Sequence, residues 1–259
     1  MVKIKINDKI VQAHKWETVL QAAIRAGFEI PSLCYHPSLK ADGSCRLCLV
    51  EINKGGKTKI ETACTVPVKE GMEVKLDTAE VIKHRKNILE MLIAQVPDSP
   101  VLTELAAKDG LKDIKLAKGE DVCIKCGLCV RICKERIGAD ALAMQGRGPD
   151  VTFTPPFGEA PESCVGCGSC AFICPVQCIK YENNFADIKI WGKNFEKAVC
   201  SECGMPLEHT REHIELMKSR HEIIKEEEVL VCEKCSRKKT LETMKNIVDG
   251  QLTFKKMGR

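Results

Sequence analysis

The spacing Cys-x2-Cys-x2-Cys-x3-Cys occurs twice in this 259-residue chain, once at Cys123, Cys126, Cys129 and Cys133 and again at Cys164, Cys167, Cys170 and Cys174. The intervening residues are related too, Ile124-Lys125 and Gly127-Leu128 standing where Val165-Gly166 and Gly168-Ser169 stand, so the segment reads as an internal duplication. The other nine cysteines are also grouped. Cys34, Cys45, Cys48 and Cys64 precede the repeat, Cys178 follows it closely, and Cys200 with Cys203 and Cys232 with Cys235 lie beyond. Seventeen cysteines is an odd number, in a chain too long to be a short disulfide scaffold. The first residues, Met1 to Asp8, alternate charged and apolar side chains and lack the continuous apolar stretch of a secretory signal. A reducing, cytoplasmic setting is therefore expected, with thiolates available to metals. A net charge of +4 gives a weak long-range field, and 4% aromatic residues give no stacking platform, so nucleic acid is not an expected partner. Nor is a membrane span expected, because the apolar stretch Val81 to Val96 is broken by Lys83, His84, Arg85, Lys86 and Glu90.

Three thiolates two residues apart can wrap one corner of a cubane. The fourth lies too far round the turn and ligates the other cluster, as in two-cluster bacterial ferredoxins. That crossed pairing assigns one [4Fe–4S] cluster to Cys123, Cys126, Cys129 and Cys174, and another to Cys164, Cys167, Cys170 and Cys133. Pro175 after Cys174 turns the chain away, whereas Lys134 follows Cys133. Zinc favours two pairs with a longer spacer, and four thiols within eleven residues fit it poorly. Gly127, Gly166 and Gly168 suit close backbone approach and N–H donation to sulfide. Cys178 has no place in either set and is expected to be a buried, inert thiol.

The first group has a long gap, a Cys-x2-Cys pair and a distant fourth member, which is the topology of an all-cysteine [2Fe–2S] site at Cys34, Cys45, Cys48 and Cys64. Around it, residues 2–6 and 10–13 read as a hairpin about an Asn-Asp-Lys turn, Thr18 as an N-cap, and 19–26 as a helix ending at Gly27. A second hairpin at 49–52 and 59–62 and a strand at 72–76 complete an α+β domain over residues 1–77. A helical connector, 78–117, follows from Thr78, with Arg85 in an otherwise apolar slot. The duplicated motif occupies 118–185. The last four thiols, Cys200, Cys203, Cys232 and Cys235, form two knuckles that read as a structural zinc site in a tail, 186–259, with little core of its own. A fourth iron–sulfur cluster is the alternative there. A helix at 206–218 fits between the knuckles, and His209 with His213, lacking an HExxH context, reads as surface. The run Glu226 to Glu228 reads as a solvated face.

The wording Pro31-Ser32-Leu33-Cys34-Tyr35-His36-Pro37, Gly43-Ser44-Cys45-Arg46-Leu47-Cys48 and Thr62-Ala63-Cys64-Thr65 resembles the N-terminal domain of the large iron–sulfur subunit of respiratory complex I, a module shared with NAD-linked and electron-bifurcating hydrogenases. The resemblance covers about residues 1 to 180. It implies a β-grasp [2Fe–2S] domain followed by a two-[4Fe–4S] ferredoxin domain relaying electrons from a partner that carries FMN or FAD and binds NAD(P). It also implies a thioredoxin-like [2Fe–2S] subunit, a hydrogenase or other catalytic subunit, and external ferredoxin as partners. One departure stands out. The family usually inserts a His-ligated [4Fe–4S] site between these domains, and residues 97–122 here contain neither Cys nor His, while His84 has no cysteines after it to complete one. A reduced or branched relay follows from that loss.

No Gly-x-Gly-x-x-Gly after a strand, no P-loop and no Gly-x-Ser-x-Gly is present, so the chain is expected to lack a nucleotide site and catalytic residues of its own. The expected function is an electron-relay subunit of a flavin- and NAD(P)-linked oxidoreductase, in a setting that couples NAD(P)H and ferredoxin by bifurcation. A stand-alone polyferredoxin, or a protein whose metals are only structural, are the alternatives.

Overall fold

Residues 1–220 and 229–248 are described by a computed structural model; the acidic run at 226–228 lies outside them. The chain divides into two compact units. The first takes in Met1–Gly138, Leu142–Thr154 and Ser169–Ile179, the second Ala139–Ala141, Pro155–Gly168 and Lys180–Arg259.

In the first unit, alternation along Val2 to Ile6 buries Val2, Ile4 and Ile6 and exposes Lys3 and Lys5, so the segment forms strand β1 (Val2–Ile6) with one face inward. It pairs antiparallel with β2 (Lys9–Ala13) and parallel with β5 (Glu73–Lys75), and β3 (Leu49–Lys54) with β4 (Lys57–Thr62) completes a sheet of order β2-β1-β5-β3-β4. Helix α1 (Val19–Arg25) is started by a capping box in which Thr18 Oγ1 accepts from the Gln21 amide while Gln21 Oε1 accepts from the Thr18 amide. Its Val19, Leu20, Ala22 and Ala23 share the sheet's core with Cys48 and Cys64.

Helix α2 (Ala79–Gln95), capped by Thr78, packs on β3. Arg85 occupies the slot that breaks its apolar face and is only 2% exposed. Its Nη2 donates to the carbonyls of Leu49 at 2.7 Å and Leu76 at 2.8 Å, and its Nη1 to Asp77 at 2.8 Å. A buried cation is tolerated here because it is paired and bonded to backbone. Helix α3 (Pro100–Lys108) follows, and α2 and α3 contribute Leu89, Ile93, Leu102 and Ala106 to a second core that also contains Leu33, Cys34, Cys45, Leu47, Ile124, Cys126 and Leu128. Helix α4 (Leu128–Ile132) runs into a π-helical turn, Cys133–Ile137. The short strands β6 (Ala143–Gln145) and β7 (Thr152–Thr154) pair with each other, and α5 (Ser169–Phe172) packs on α4.

The second unit corrects the expectation of a tail with little core. Strands β8 (Tyr181–Asn183), β9 (Asp187–Ile190), β10 (Lys193–Val199) and β11 (Pro206–Thr210) form a four-stranded antiparallel sheet. Alternation along β9 and the start of β10 buries Ile188, Ile190 and Phe195, Ala198 is buried where the register shifts between Lys197 and Val199, and Trp191-Gly192, both at positive φ, make the hairpin turn between β9 and β10. The expected helix at 206–218 therefore begins five residues late, as α6 (Arg211–Arg220), because residues 206–210 pair with β10 and bury Leu207 and Thr210. Helix α7 (Glu233–Val248) closes the described chain. Among the described residues, no helix is long and apolar enough to cross a membrane.

Candidate metal centres

The first nest is built by loops that the five-stranded sheet and α2 hold in place. Cys34, Cys45, Cys48 and Cys64 are each buried, Cys45 the most accessible at 8%. The thiols fall into two hydrogen-bonded pairs. Cys34 donates to Cys45, whose thiol falls to about 6 chiefly for that reason while Cys34 is pushed up. Cys64 donates to Cys48 with the same directions. Two pairs of buried sulfur donors suit two irons with two thiolates each. The Cys45 amide also donates to Cys34 Sγ at 3.4 Å.

The second nest collects five thiols where the sequence assigns four. Cys126 and Cys129 lie at the entry and within α4, and burial raises them to about 11 and about 12. Cys123 accepts from the Lys125 amide at 3.3 Å. Cys178 is not the detached thiol expected from the spacing. Its Sγ lies 3.5 Å from that of Cys174, and hydrogen bonding with Cys178 is the leading reason that Cys123 falls to about 7 and Cys174 to about 6. The short turn Cys174-Pro175-Val176-Gln177, closed by a Gln177 amide to Cys174 carbonyl bond at 3.2 Å, carries Cys178 back onto the same nest. The Cys-x3-Cys spacing of these two residues was the available signal.

The third set is divided between the two units. Cys170, on α5, and Cys133, on the π-helical turn, belong to the first unit; Cys164 and Cys167 belong to the second. In the second unit Cys164 is raised mainly by burial, against the N–H of Gly166, and the Thr210 hydroxyl donates to the Val165 carbonyl, tying this loop to β11.

The last four thiols converge. Sγ atoms of Cys200, Cys203, Cys232 and Cys235 all lie within 4.8 Å of one another, with Cys203 and Cys232 at 3.7 Å. The Gly204 amide to Cys200 carbonyl and Cys200 amide to Met205 carbonyl bonds close one knuckle, and the Ser236 amide to Cys232 carbonyl bond opens α7 at the other. The Cys232 amide donates to Cys200 Sγ at 3.2 Å and is the leading reason that thiol falls to about 6. Sulfurs about 2.3 Å from a tetrahedral zinc are roughly 3.8 Å apart, a spacing these distances bracket. His209 and His213 stand edge to face at 5.1 Å on β11 and α6, away from that group of donors; burial, then His209, lowers His213. His84 is half exposed beside Glu80.

Residues 1–79 match a 2Fe-2S iron-sulfur cluster binding domain, and residues 122–178 a 4Fe-4S dicluster domain. The chain carries both ferredoxin-type domains. It is 30% identical to a subunit of the NADH-quinone oxidoreductase of Rhizobium meliloti (strain 1021) over 231 residues, 79% of this chain and 27% of the relative. It is 32% identical to the NADH-ubiquinone oxidoreductase 75 kDa subunit of Reclinomonas americana over 180 residues, 60% of this chain and 26% of that one. The chain thus spans under a third of the length of these relatives. A chain from the crystal structure of an NAD+-reducing [NiFe]-hydrogenase in the H2-reduced state superposes with a TM-score of 0.60 at 28% identity, over 68% of this chain and 85% of that chain.

Proposed function

We propose that this chain, homologous to the 75 kDa iron–sulfur subunit of NADH-quinone oxidoreductases and to a subunit of an NAD+-reducing hydrogenase, is a non-catalytic electron-relay subunit of a cytoplasmic flavin- and NAD(P)-linked oxidoreductase complex. Its [2Fe–2S] group is held by Cys34, Cys45, Cys48 and Cys64, and its two [4Fe–4S] groups by Cys123, Cys126, Cys129 and Cys174 and by Cys164, Cys167, Cys170 and Cys133. These groups supply single-electron transfer when bound. The observation that carries the reading is the shared core of Cys34, Cys45 and Cys126, which sets the first two nests side by side behind the apolar residues of α2 and α3. Burial excludes water from these thiolates, and amide donors such as those of Cys45 and Lys125 offset their charge; both are levers on potential.

A relay of single electrons needs a two-electron partner, so a flavoprotein subunit with FMN or FAD and an NAD(P) site is the expected neighbour, with a thioredoxin-like [2Fe–2S] subunit beside it. Coupling of NAD(P)H to ferredoxin by bifurcation, with a hydrogenase-like catalytic subunit, is the favoured setting. The five-stranded sheet around the first nest supports a β-grasp reading of residues 1–77, with 78–117 as connector, 118–185 as the dicluster domain and 186–259 as a zinc-ribbon-like domain. In the last, Cys200, Cys203, Cys232 and Cys235 hold zinc, whose tight tetrahedron suits their mutual distances better than the wider reach of a cubane.

Metal analysis and EPR on dithionite-reduced, air-free protein test this directly. About ten irons and one zinc per chain, with one [2Fe–2S] and two [4Fe–4S] signals, is the expected result. A colourless protein holding zinc alone would refute it, and a native-extract chain running alone near 28.7 kDa would favour the free polyferredoxin.

A further inference from the structure

Between Cys129 and Cys133 on α4 stands Arg131, a residue that the cysteine spacing passes over. Its side chain does not follow its neighbours into the second nest. It reaches instead across to the loop of the first: Nη2 donates to the carbonyl of Cys34 at 2.8 Å, and Nη1 donates to the carbonyl of Lys40 at 2.8 Å. The two carbonyls belong to the long gap between Cys34 and Cys45, the part of the first nest with no strand or helix of its own. One planar fork therefore fixes that loop against the helix that carries Cys129. The third nitrogen is left over. Nε of Arg131 is buried and has no hydrogen-bond partner among the described residues. A buried donor on a charged group is costly unless an acceptor is supplied, and a cluster sulfur is the acceptor class this environment would contain.

We infer that Arg131 is a positioning residue of the [2Fe–2S] nest, holding the Cys34 loop through its two terminal nitrogens and offering Nε–H and its positive charge to the cluster bound there. The inference rests on the assignment of Cys34, Cys45, Cys48 and Cys64 to a [2Fe–2S] group. Reduction adds one negative charge to the cluster, and a fixed cation close by favours the reduced form, as does a hydrogen bond to sulfur. Arg131 thus raises the potential of this cluster relative to a neutral side chain. It also links the conformation of the first nest to that of α4, which carries Cys129 and leads into Cys133. Lysine keeps the charge but, as a compact point donor, cannot span both carbonyls.

The test is an EPR-monitored redox titration of full-length wild type, R131K and R131Q, each with iron counted. In R131Q the iron content stays at the wild-type value, and the ratio of reduced to oxidised [2Fe–2S] falls about tenfold at the wild-type midpoint, equal to ~59 mV for a one-electron couple. R131K falls between the two. An R131Q ratio within twofold of wild type, at full iron content, overturns the inference. Should R131Q fail to assemble its clusters, wild-type protein carrying isotope-labelled arginine decides. Hyperfine coupling of a guanidinium nitrogen to the reduced [2Fe–2S] spin that is present in wild type and lost in R131K supports the assignment, whereas a coupling absent from wild type, or retained in R131K through Arg46 between Cys45 and Cys48, refutes it. A wild type with no [2Fe–2S] signal at all would sink the cluster reading instead.

Discussion

Gly127 corresponds to Gly168 in the duplication and Gly166 to Lys125, so Gly127 and Gly166 are not counterparts, but both sit at positive φ inside a cysteine motif and in unequal surroundings, which yields a quantitative test. Gly166, between Cys164 and Cys167, has φ +65°, and a Cβ there would lie 2.5, 2.8 and 2.9 Å from Cγ, Cδ2 and Cβ of Phe195. Phe195 is fully buried on β10, so it cannot swing aside. Gly127, between Cys126 and Cys129, has φ +71°, but a Cβ there would meet Phe153 no closer than 3.5 Å, an ordinary contact. Left-handed backbone costs an L-residue roughly 1–2 kcal/mol, and forcing extra volume into a packed core costs about 1–3 more. Gly127→Ala should therefore cost about 1–2 kcal/mol and Gly166→Ala about 2–5 kcal/mol.

The readout is the temperature at which visible cluster absorption bleaches in air-free protein. At about 2–4 °C per kcal/mol for a chain of this order, Gly127→Ala moves it down by about 2–8 °C and Gly166→Ala by about 4–20 °C. The iron lost first from Gly166→Ala should belong to the cubane assigned to Cys164, Cys167, Cys170 and Cys133, leaving the [2Fe–2S] signal in place. A cycle with Phe195→Leu adds a control, because relief of the clash makes that change less costly in the Gly166→Ala background than alone. If Gly127→Ala proved as damaging as Gly166→Ala, the assignment of the cost to Phe195 would be wrong.

Three further outcomes follow from the nests. Cys48→Ser removes the [2Fe–2S] EPR signal and keeps both cubane signals, since no ligand is shared between those domains; loss of every signal together would contradict the partition. Cys174→Ser, with Cys178 Sγ 3.5 Å from the missing sulfur, retains more cubane iron than the Cys174→Ser/Cys178→Ser pair, and equal iron in the two variants would refute a role for the fifth thiol. Cys232→Ser releases zinc while the iron count stays at the wild-type value, as measured by elemental analysis; iron lost in its place would point to a fourth cluster at Cys200, Cys203, Cys232 and Cys235.

Cysteine spacing is a local code, which makes much of the candidate site legible in the sequence. Ligands two residues apart must share a turn, so the sets at 123–133 and 164–174 and the knuckle at Cys200 and Cys203 can be read without knowing the fold. The hairpins around the first nest are equally readable, since strand alternation and capping residues such as Thr18 act over a few positions. What escapes the sequence is long-range. Arg85 interrupts an apolar face, yet its buried guanidinium satisfies two carbonyls from 9 and 36 residues away, and no pattern within α2 names those acceptors. Cys178 lies outside the repeat, so the motif gives it no role, although a turn of four residues suffices to return it to Cys174. The sheet at 181–210 is masked although its alternation and Trp191-Gly192 turn are present, because the charged residues interleaved with Ile188, Ile190 and Phe195 give the segment the composition of a polar tail.

The same contrast bears on the missing middle cluster. From the sequence alone, the absence of cysteine and histidine in residues 97–122 looks like a gap in the wire. Within the first unit, however, α2 and α3 add Leu89, Ile93, Leu102 and Ala106 to the core shared by Cys34, Cys45 and Cys126. Within residues 97–122, Leu102 and Ala106 of α3 supply apolar packing beside Leu89 and Ile93 of the preceding α2, and Arg131 reaches from α4 to the Cys34 loop. Under the relay reading, electrons between the [2Fe–2S] group and the first cubane then need no intervening station in this chain. Under the same reading, α2 and α3 keep water from the thiols of Cys34, Cys45 and Cys126, and burial of that kind is a lever on cluster potential.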